Sequence, residues 1–324
     1  MNAPFLNEKR ADLCFLNAQQ VLETTGKNPT VTMDVFPNSS GLFCGVDEAI
    51  GHLTSVLPDD VELWALPEGE KMVAKECVLR IRGRYLSFGI YETALLGTLA
   101  HGSGWATAAR ECVTAAGEIP VISFGARHVH PAVSDRMEYA ALVGGCSGCA
   151  TQAGGTLGGI EASGTMPHTF LLIFGDTVEG ALAFDQHMAE NIQRIVLVDT
   201  FKDEVEESLR VAEAMGDRLW GVRLDTPSER GRVTPELVVE VRANLDLAGY
   251  QGVKILVSGG IDVERIRMFV GQGSPIDGFG VGSAISGARP IDFTADVKEI
   301  DGRPVAKRGR LPGIIENSRL EKLK

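Results

Sequence analysis

The feature that most constrains the fold is a series of apolar runs that each end in a glycine or a polar residue. Four of these runs lie in the second half of the chain, at residues 195–198, 219–224, 253–257 and 276–281. The residues at their ends, Asp199, Asp225, Ser258 and Gly280, are 26, 33 and 22 positions apart, with amphipathic helical sequence in the intervals. Units of this length predict parallel strands joined by helices, in a barrel or a doubly wound sheet.

Signals for helix starts support this interpretation. Thr234 followed by Pro235 matches the N-cap and the first position of a helix. Asp262 is placed to cap the helix that follows the third of these runs.

The N-terminal part and the C-terminal tail follow a different pattern. Residues 31–36, 61–66 and 76–82 alternate between apolar and polar side chains, which predicts strands, and residues 85–116 read as a long, Ala-rich helix. Near the end of the chain, two further strand-like segments flank the turn signal Asp301-Gly302. We therefore predict an α/β sandwich domain of residues 1–118 and 291–324, completed by the C-terminal hairpin, with a β/α barrel of residues 119–290 inserted.

The composition excludes several classes of partner. The 324 residues include 31 basic and 43 acidic side chains, and the net charge of −12 argues against binding of nucleic acid or anionic membranes. No apolar run is long enough to span a bilayer, and the first residues lack the apolar core of a signal peptide. The scattered cysteines are typical of reduced thiols. We expect a cytoplasmic enzyme.

Two motifs contain residues that commonly bind metals, but the sequence lacks the further ligands that such sites need. Cys146 and Cys149 form a lone CxxC, with no second ligand pair at a suitable spacing for zinc. His128 and His130 could belong to a binuclear centre, but that centre requires histidines on later strands, and the last histidine is His187. We expect no metal site made by the protein alone.

Glycine-rich motifs follow the last two predicted strands of the barrel. Ser258, Gly259 and Gly260 precede a helix, and Gly280 and Gly282 follow the next strand. Glycines let backbone N–H groups approach an oxyanion closely, and barrels often bind phosphate after their last two strands. The motifs predict a phosphate site, with tight turns as the alternative.

Charged residues at the other strand ends suit a ligand with anionic and hydroxyl groups. Asp199 and Asp225 can accept from ribose hydroxyls, coordinate Mg²⁺ or stabilise positive charge on a sugar carbon, or they can simply cap helices. Arg127 and Arg223 suit a carboxylate or a pyrophosphate. His168 follows a flexible Gly-Thr segment and can be a nucleophile, an acid, a base or a buried structural side chain.

Together these motifs resemble the nicotinate phosphoribosyltransferase family, which has the type II phosphoribosyltransferase fold. Six motifs carry the resemblance in the family's order: Ser123-Phe124-Gly125-Ala126-Arg127, Gly164-Thr165-Met166-Pro167-His168, Val198-Asp199-Thr200, Arg223-Leu224-Asp225-Thr226, Ser258-Gly259-Gly260-Ile261-Asp262 and Gly278-Phe279-Gly280-Val281-Gly282-Ser283. The match covers nearly the whole chain and looks closest to the short, archaeal-like branch. It implies an incomplete, seven-stranded barrel, and homodimers or higher homo-oligomers whose active sites combine both subunits.

The resemblance also implies a reaction in NAD salvage. Nicotinate attacks C1 of phosphoribosyl pyrophosphate, forming nicotinate mononucleotide and pyrophosphate, with Mg²⁺ present and ATP hydrolysis coupled. By position, Phe124 would stack on the pyridine ring and Arg127 would bind its carboxylate or the pyrophosphate. Thr165 and Thr200, in the same motifs, are further substrate-binding candidates. His168 matches the family histidine that ATP phosphorylates.

The remaining roles follow in the same way. Asp199, Arg223 and Asp225 would hold the ribose hydroxyls, Mg²⁺ and the diphosphate. The 5′-phosphate would bind in the cradle made by Ser258, Gly259, Gly260, Gly280 and Gly282.

The chain departs from the family pattern at two positions. Cys14 stands where many members have a ring-stacking Tyr, and His128 stands where many have a second Arg. The first departure leaves a non-catalytic paralogue that binds phosphoribosyl ligands as one alternative. A transferase for another aromatic acid such as quinolinate is the other, although the motifs supply only Arg127 and Arg223 for its two carboxylates.

Overall fold

The structure is a computed structural model that describes residues 8–324, and the described chain divides into two compact units. One unit comprises the described residues up to Thr107 together with Arg289–Lys324, and the other comprises Ala108–Ala288. These limits lie near the predicted domain limits, which remain a prediction.

The elements alternate between strand and helix through most of the described chain. The strands are β1 (Thr30–Pro37), β2 (Gly41–Leu42), β3 (Glu62–Ala65), β4 (Lys71–Met72), β5 (Leu79–Arg84), β6 (Val121–Ser123), β7 (Gly148–Cys149), β8 (Ile195–Leu197), β9 (Gly221–Leu224), β10 (Lys254–Val257), β11 (Gly278–Val281), β12 (Phe293–Ile300), β13 (Arg303–Pro304) and β14 (Glu321–Lys322). The helices are α1 (Leu13–Thr24), α2 (Val46–Val56), α3 (Glu92–Ala116), α4 (Ser134–Val143), α5 (Gln152–Gly158), α6 (His168–Phe174), α7 (Thr177–His187), α8 (Glu204–Met215), α9 (Pro235–Leu247), α10 (Val263–Gly271) and α11 (Ser283–Ser286). Among these helices, none combines the length and the apolar character that a bilayer crossing requires.

An antiparallel sheet forms the centre of the first unit. In the described residues its strand order is β13-β12-β1-β5-β3-β14. Strand β1 pairs with β12, where Val35 lies opposite Ala295, and with β5 on its other side. The alternating burial along β3 and β5 follows the alternation in the sequence. The predicted C-terminal hairpin is confirmed, since β12 and β13 pair around Asp301-Gly302 and β12 completes the sheet.

A parallel sheet forms the centre of the second unit. Its order is β7-β6-β11-β10-β9-β8, so the first strand of the barrel pairs with the last. All of its ladders are parallel, as the helical connections require. Four of its strands, β8 to β11, coincide with the apolar runs found in the sequence.

The resemblance implies a barrel of seven strands, whereas the parallel sheet of the described chain has six regular strands. The extended segment before α6 lies beside β7, where the Ser163 N–H donates to the Cys149 carbonyl at 2.8 Å. This segment does not become a strand, because Gly159, Gly164 and Pro167 interrupt it, and glycine and proline weaken strand pairing.

Two predicted helix caps are confirmed in the second unit. The Leu237 N–H donates to Thr234 Oγ1 at 3.3 Å, with Pro235 at the first position of α9. The Arg265 N–H donates to Asp262 Oδ1 at 2.9 Å at the start of α10. These caps fix where the loops after β9 and β10 end, and these loops carry predicted site residues.

The CxxC cysteines are buried free thiols. Burial raises the pKa of Cys146 to about 12 and also raises the pKa of Cys149. The thiolate is the form of cysteine that binds metals and acts as a nucleophile. Because a raised pKa disfavours the thiolate, both side chains are suited to packing.

Candidate functional site

A pocket of about 440 Å³ opens at the carboxyl ends of the parallel strands in the second unit. Loops after five of the strands contribute to it, together with the extended segment before α6. Its lining is Phe124, Ala126, Arg127, His128, Ala150, Ser163, Gly164, Thr165, Met166, Pro167, Arg223, Asp225, Ser258, Gly259, Gly260, Gly280, Gly282 and Ser283. Active groups of β/α barrels lie at this end of the strands.

Most of the residues predicted for the site line this one pocket. They are Phe124, Arg127, Thr165, Arg223, Asp225, Ser258, Gly259, Gly260, Gly280 and Gly282. Three predicted residues are not part of the lining: His168, Asp199 and Thr200. His168 directly follows the lining residue Pro167, and Asp199 contacts His168, so this pair borders the pocket.

Arg223 is a largely buried cation in the pocket wall, with a side chain that is 13% exposed. Its Nη1 donates to Thr165 Oγ1 at 2.7 Å, and its Nη2 lies 3.9 Å from Asp225 Oδ2. The guanidinium carbon lies 5.6 Å from the centre of the Phe124 ring. Burial lowers the pKa of Arg223, and its buried Nε–H has no hydrogen-bond partner in the described chain. A carboxylate or phosphate oxygen on a ligand would satisfy such a group.

His168 and Asp199 form a hydrogen-bonded pair. His168 begins α6, and its Nε2 lies 3.1 Å from both Oδ1 and Oδ2 of Asp199, which follows β8. The Asp199 side chain is only 2% exposed, whereas that of His168 is 37% exposed. The hydrogen bond to Asp199 raises the pKa of His168. The proton of the pair is therefore assigned to Nε2, and Nδ1 is the ring nitrogen that Asp199 does not engage.

Asp225 lies between the cationic wall and the glycine-rich loop. Burial raises its pKa, Arg223 partly offsets this shift, and the neighbouring carboxylate of Asp199 adds to it. A Cβ at Gly259 would lie 2.5 Å from Asp225 Oδ1, and Gly259 has a left-handed φ of +84°. Glycine is therefore required here both for the backbone conformation and for the approach of the carboxylate.

Gly280 leaves room for the Phe124 ring. A Cβ at this position would overlap the ring edge at Cε2 and Cδ2 and would lie 3.1 Å from the Ser258 Cβ. The backbone of β11 thus forms part of the surface against which the aromatic ring packs.

The two histidines considered for a metal site have separate environments. The Ala132 N–H donates to the Nδ1 of His130 at 3.1 Å, at the start of a short turn. His128 lines the pocket, and its Nδ1 lies 3.4 Å from Ser286 Oγ. In the part of the chain that the structure describes, no group of three His, Cys, Asp or Glu side chains is arranged to hold a metal ion.

A buried glutamate that the sequence motifs do not mark fixes one loop of the pocket. Glu138 on α4 is fully buried and accepts from the Ala150 N–H at 2.9 Å. It also accepts from the N–H and the hydroxyl of Thr151, at 2.8 and 2.5 Å. No motif surrounds Glu138 in the sequence, so only the folded structure identifies it. The other missed lining residues, apart from Ala150, His128 and Ser163, are members of the six motifs.

The chain is similar to known proteins in sequence and in fold. The family model of the quinolinate phosphoribosyl transferase N-terminal domain matches residues 19–103, and that of the C-terminal domain matches residues 105–296. The crystal structure of nicotinate-nucleotide pyrophosphorylase from Pyrococcus furiosus is 42% identical and has a TM-score of 0.89, covering 97% of this chain and 82% of that chain. This likeness confirms the predicted α/β fold class.

Relatives with two different names match the sequence. A nicotinate phosphoribosyltransferase of Mycobacterium tuberculosis is 30% identical over 247 residues, which is 74% of this chain and 52% of the relative. The chain therefore spans about half the length of that relative. The human nicotinate-nucleotide pyrophosphorylase (carboxylating) is 27% identical over 252 residues, 75% of each chain. The chain belongs to the quinolinate phosphoribosyl transferase family, among the type II phosphoribosyltransferases.

Proposed function

We propose that the protein is a nicotinate phosphoribosyltransferase, which forms nicotinate mononucleotide and pyrophosphate from nicotinate and phosphoribosyl pyrophosphate. The observation that carries this proposal is the lining of the pocket at the strand ends. An aromatic ring, two arginines, a carboxylate and a glycine-rich loop converge there from different strand ends. The aromatic ring suits the base, and the carboxylate suits the ribose. The arginines and the glycine-rich loop suit the anionic groups of the substrates.

Nicotinate fits the aromatic end of the pocket. The Phe124 ring offers a stacking surface for a pyridine ring, and Arg127 and Arg223 offer bidentate donors for its carboxylate and for the pyrophosphate. The described lining contains these two arginines and no lysine. Two carboxylates on the base, in addition to the pyrophosphate, would require more cationic groups than this wall supplies. The lining thus favours a base with one carboxylate.

The other substrate fits the glycine-rich side of the pocket, which adjoins the Phe124 ring at Gly280. Backbone N–H groups around Gly259, Gly260, Gly280 and Gly282 and the Ser258 hydroxyl are available to a 5′-phosphate, next to the start of α10. Asp225 can accept from a ribose hydroxyl and can stabilise positive charge that develops at C1 when pyrophosphate leaves. Thr165 and Thr200 remain proposed substrate contacts, and the hydroxyl of Thr200 is buried without a partner in the described chain.

Mg²⁺ fits this arrangement as a substrate-bound ion. Asp225 is the better protein ligand of the two aspartates, because His168 engages both carboxylate oxygens of Asp199. Diphosphate oxygens would supply the remaining ligands, and the ion would neutralise the leaving group. The carboxylates of Asp199 and Asp225 repel each other, and a cation held by Asp225 would reduce this repulsion.

ATP coupling through His168 is the further part of this proposal. With Nε2 held by Asp199, the Nδ1 lone pair is the available nucleophile for the γ-phosphorus of ATP, and ADP leaves as the P–N bond forms. Asp199 orients the ring and stabilises its positive charge, as carboxylates do for catalytic histidines.

We also propose that the protein works as a homodimer or a larger homo-oligomer with shared active sites. Helix α6 carries His168 at its start and exposes Leu172 and Ile173, which are 59% and 78% exposed. Exposed apolar residues next to a functional histidine suit a subunit interface.

A quinolinate phosphoribosyltransferase is the second candidate. The matching family models carry that description, and this observation favours it. Cys14, the residue that suggested a non-catalytic paralogue, is exposed on α1. No other feature of the described site favours that third possibility, since the cation, the carboxylate and the glycine loop are all in place.

One assay separates these candidates. Purified protein is incubated with phosphoribosyl pyrophosphate, Mg²⁺ and nicotinate, nicotinamide or quinolinate, with and without ATP, and mononucleotide is measured. We expect product from nicotinate, with more product in the presence of ATP, and we expect His168→Ala to remove only the ATP enhancement. Product from quinolinate alone would establish the second candidate, and no product from any base would overturn the enzyme assignment. Equal rates with and without ATP would overturn the role of His168.

A further inference from the structure

An arginine outside the predicted site lies against the glycine-rich loop of the pocket. Arg232 is in the loop between β9 and α9, and its guanidinium rests on the backbone of Gly260. A Cβ at Gly260 would overlap the Nη1 of Arg232 and would lie 2.9 Å from its Cζ. Glycine at this position therefore leaves room for a cation at the edge of the pocket that Ser258, Gly259 and Gly260 line.

The backbone holds Arg232 in a conformation that is rare for arginine. Its φ is 66°, in the left-handed region, and the preceding Gly231 has a φ of 91°. The Arg232 N–H donates to the Pro227 carbonyl at 3.1 Å, which closes the turn. Strained residues of this kind persist where the surrounding structure enforces them, often at ligand sites. The turn directs this side chain towards Gly260.

Arg232 is exposed, and it forms no ion pair within the described chain. The guanidinium of Arg265, in the first turn of α10, lies close enough to Arg232 for the two positive charges to interact. Burial and then Arg232 lower the pKa of Arg265, while Asp262 partly offsets this effect. Two neighbouring guanidinium groups repel each other, and a bound anion would relieve this repulsion.

The hydroxyl of Ser258 indicates independently that a ligand belongs here. Ser258 is only 3% exposed and lines the pocket, yet its Oγ forms no hydrogen bond within the described chain. It lies near the Asp225 carboxylate without meeting the geometry of a hydrogen bond. Buried polar groups are normally paired, so a ligand oxygen is the partner that this hydroxyl lacks.

We propose that Arg232 binds the 5′-phosphate of the phosphoribosyl substrate, opposite the Gly259–Gly260 loop. The identity of the substrate rests on the proposed function. The backbone of the loop and the Ser258 hydroxyl hold one side of the phosphate, and the guanidinium closes over the other side. Arg232 is thus a specificity-determining residue, because its contact is available to a phosphorylated ribose and absent for an unphosphorylated one.

The test measures binding of small probes and does not depend on turnover. Dissociation constants of ribose 5-phosphate, ribose and inorganic pyrophosphate are measured by calorimetry for the wild type, Arg232→Asn and Arg232→Lys. Asparagine tolerates the left-handed backbone, so this variant removes the cation without breaking the turn. Arg267→Asn is the matched control, since Arg267 is an exposed arginine on α10 that pairs with Glu264.

We expect Arg232→Asn to weaken ribose 5-phosphate binding by about tenfold, the size of one charge-assisted contact. Arg232→Lys should recover part of this loss, and Arg267→Asn should behave as the wild type. Pyrophosphate binding should stay within about twofold in all variants.

Equal ribose 5-phosphate affinity in the wild type and Arg232→Asn would overturn the assignment. A selective loss of pyrophosphate binding would overturn it too, because Arg232 would then serve the other end of the substrate. Failure of the nicotinate assay would overturn the proposed function and would leave these binding results intact.

Discussion

The Nε2 atom of His168 lies 3.1 Å from each carboxylate oxygen of Asp199. The carboxylate is nearly inaccessible to water, while the imidazole is partly exposed. The pair therefore joins a fixed charge after β8 to a solvent-accessible ring at the start of α6. This contact has a direct consequence for the protonation of His168.

We expect Asp199→Asn to lower the pKa of His168, because the hydrogen bond to Asp199 is the main reason that this pKa is raised. In the wild type the protonated His168 ring stabilises the fold through its contact with Asp199. This contribution is complete below the unfolded pKa of about 6.5 and is lost as pH rises through the higher pKa of the folded state. The ring must be neutral to attack ATP, so ATP enhancement should rise over the same pH range. NMR titration of the ring protons measures the shift.

The other histidines in the same spectra, His187 for example, serve as internal controls, and Asp199→Asn should leave their signals unchanged. An unchanged His168 titration in Asp199→Asn would show that the pair does not exist in solution. An ATP enhancement that falls as pH rises through the His168 titration would contradict the proposed nucleophile.

Gly280→Ala should disable the base-binding end of the pocket. A Cβ there would overlap the Phe124 ring and approach the Ser258 Cβ at 3.1 Å, so the ring must move. We expect at least about tenfold weaker nicotinate binding and a loss of about 1–3 kcal/mol in the free energy of unfolding. Calorimetry and urea denaturation provide the two measurements.

Gly51→Ala is the matched control for this substitution. Gly51 lies inside α2, and a Cβ at this position would have no atom within 4 Å other than those of its own stretch of helix. This variant should gain about 0.5–1 kcal/mol of stability and keep nicotinate binding. Normal nicotinate binding in Gly280→Ala would contradict the role assigned to Phe124.

Much of this site could be predicted from the sequence, because the chemistry of a parallel sheet is concentrated at the carboxyl ends of its strands. Phe124, Arg127, Arg223 and Asp225 each follow or end an apolar run, and the fold brings them into one pocket. The caps at Thr234 and Asp262 were predictable for a related reason, since a cap depends only on residues within one turn.

The features that the sequence did not predict depend on contacts between distant residues. Glu138 acts through loop amides 12 and 13 positions away, and no local pattern marks such a partner. Arg232 was missed because its relevance comes from the space above Gly260, which only the folded loop defines. The seventh barrel strand was expected from resemblance, whereas pairing depends on the glycines and proline of that segment.

Glu92 predicts a pH-dependent stability that is separate from the site. It begins α3, and burial, followed by the carboxylates of Asp296 and Asp12, raises its pKa to about 7. Because the folded pKa lies above the unfolded value of about 4.3, the folded state favours the neutral acid. Its contribution is complete below the unfolded pKa and is lost as pH rises towards 7.

Glu92→Gln keeps the neutral form at every pH. We therefore expect its free energy of unfolding to exceed that of the wild type at pH 8, by about 1–3 kcal/mol, and to match it at pH 4.5. Urea denaturation at both pH values measures this difference. Glu213→Gln, which changes an exposed glutamate on α8, should show no such pH-dependent difference from the wild type. A constant difference between Glu92→Gln and the wild type across pH would contradict the argument.

Ile173→Asp should dissociate the proposed homo-oligomer. Ile173 is 78% exposed on α6, beside Leu172, and a carboxylate buried in an interface without a partner is strongly unfavourable. Light scattering with size-exclusion chromatography should give a dimer or larger assembly for the wild type and a monomer for this variant.

Leu247→Asp is the control for this substitution. Leu247 is 88% exposed on α9, and its replacement should leave the assembly unchanged. Since the proposed active sites are shared between subunits, we expect Ile173→Asp to lose phosphoribosyl transfer along with assembly. A monomeric wild type, or an active monomeric variant, would show that the active site is complete within one chain.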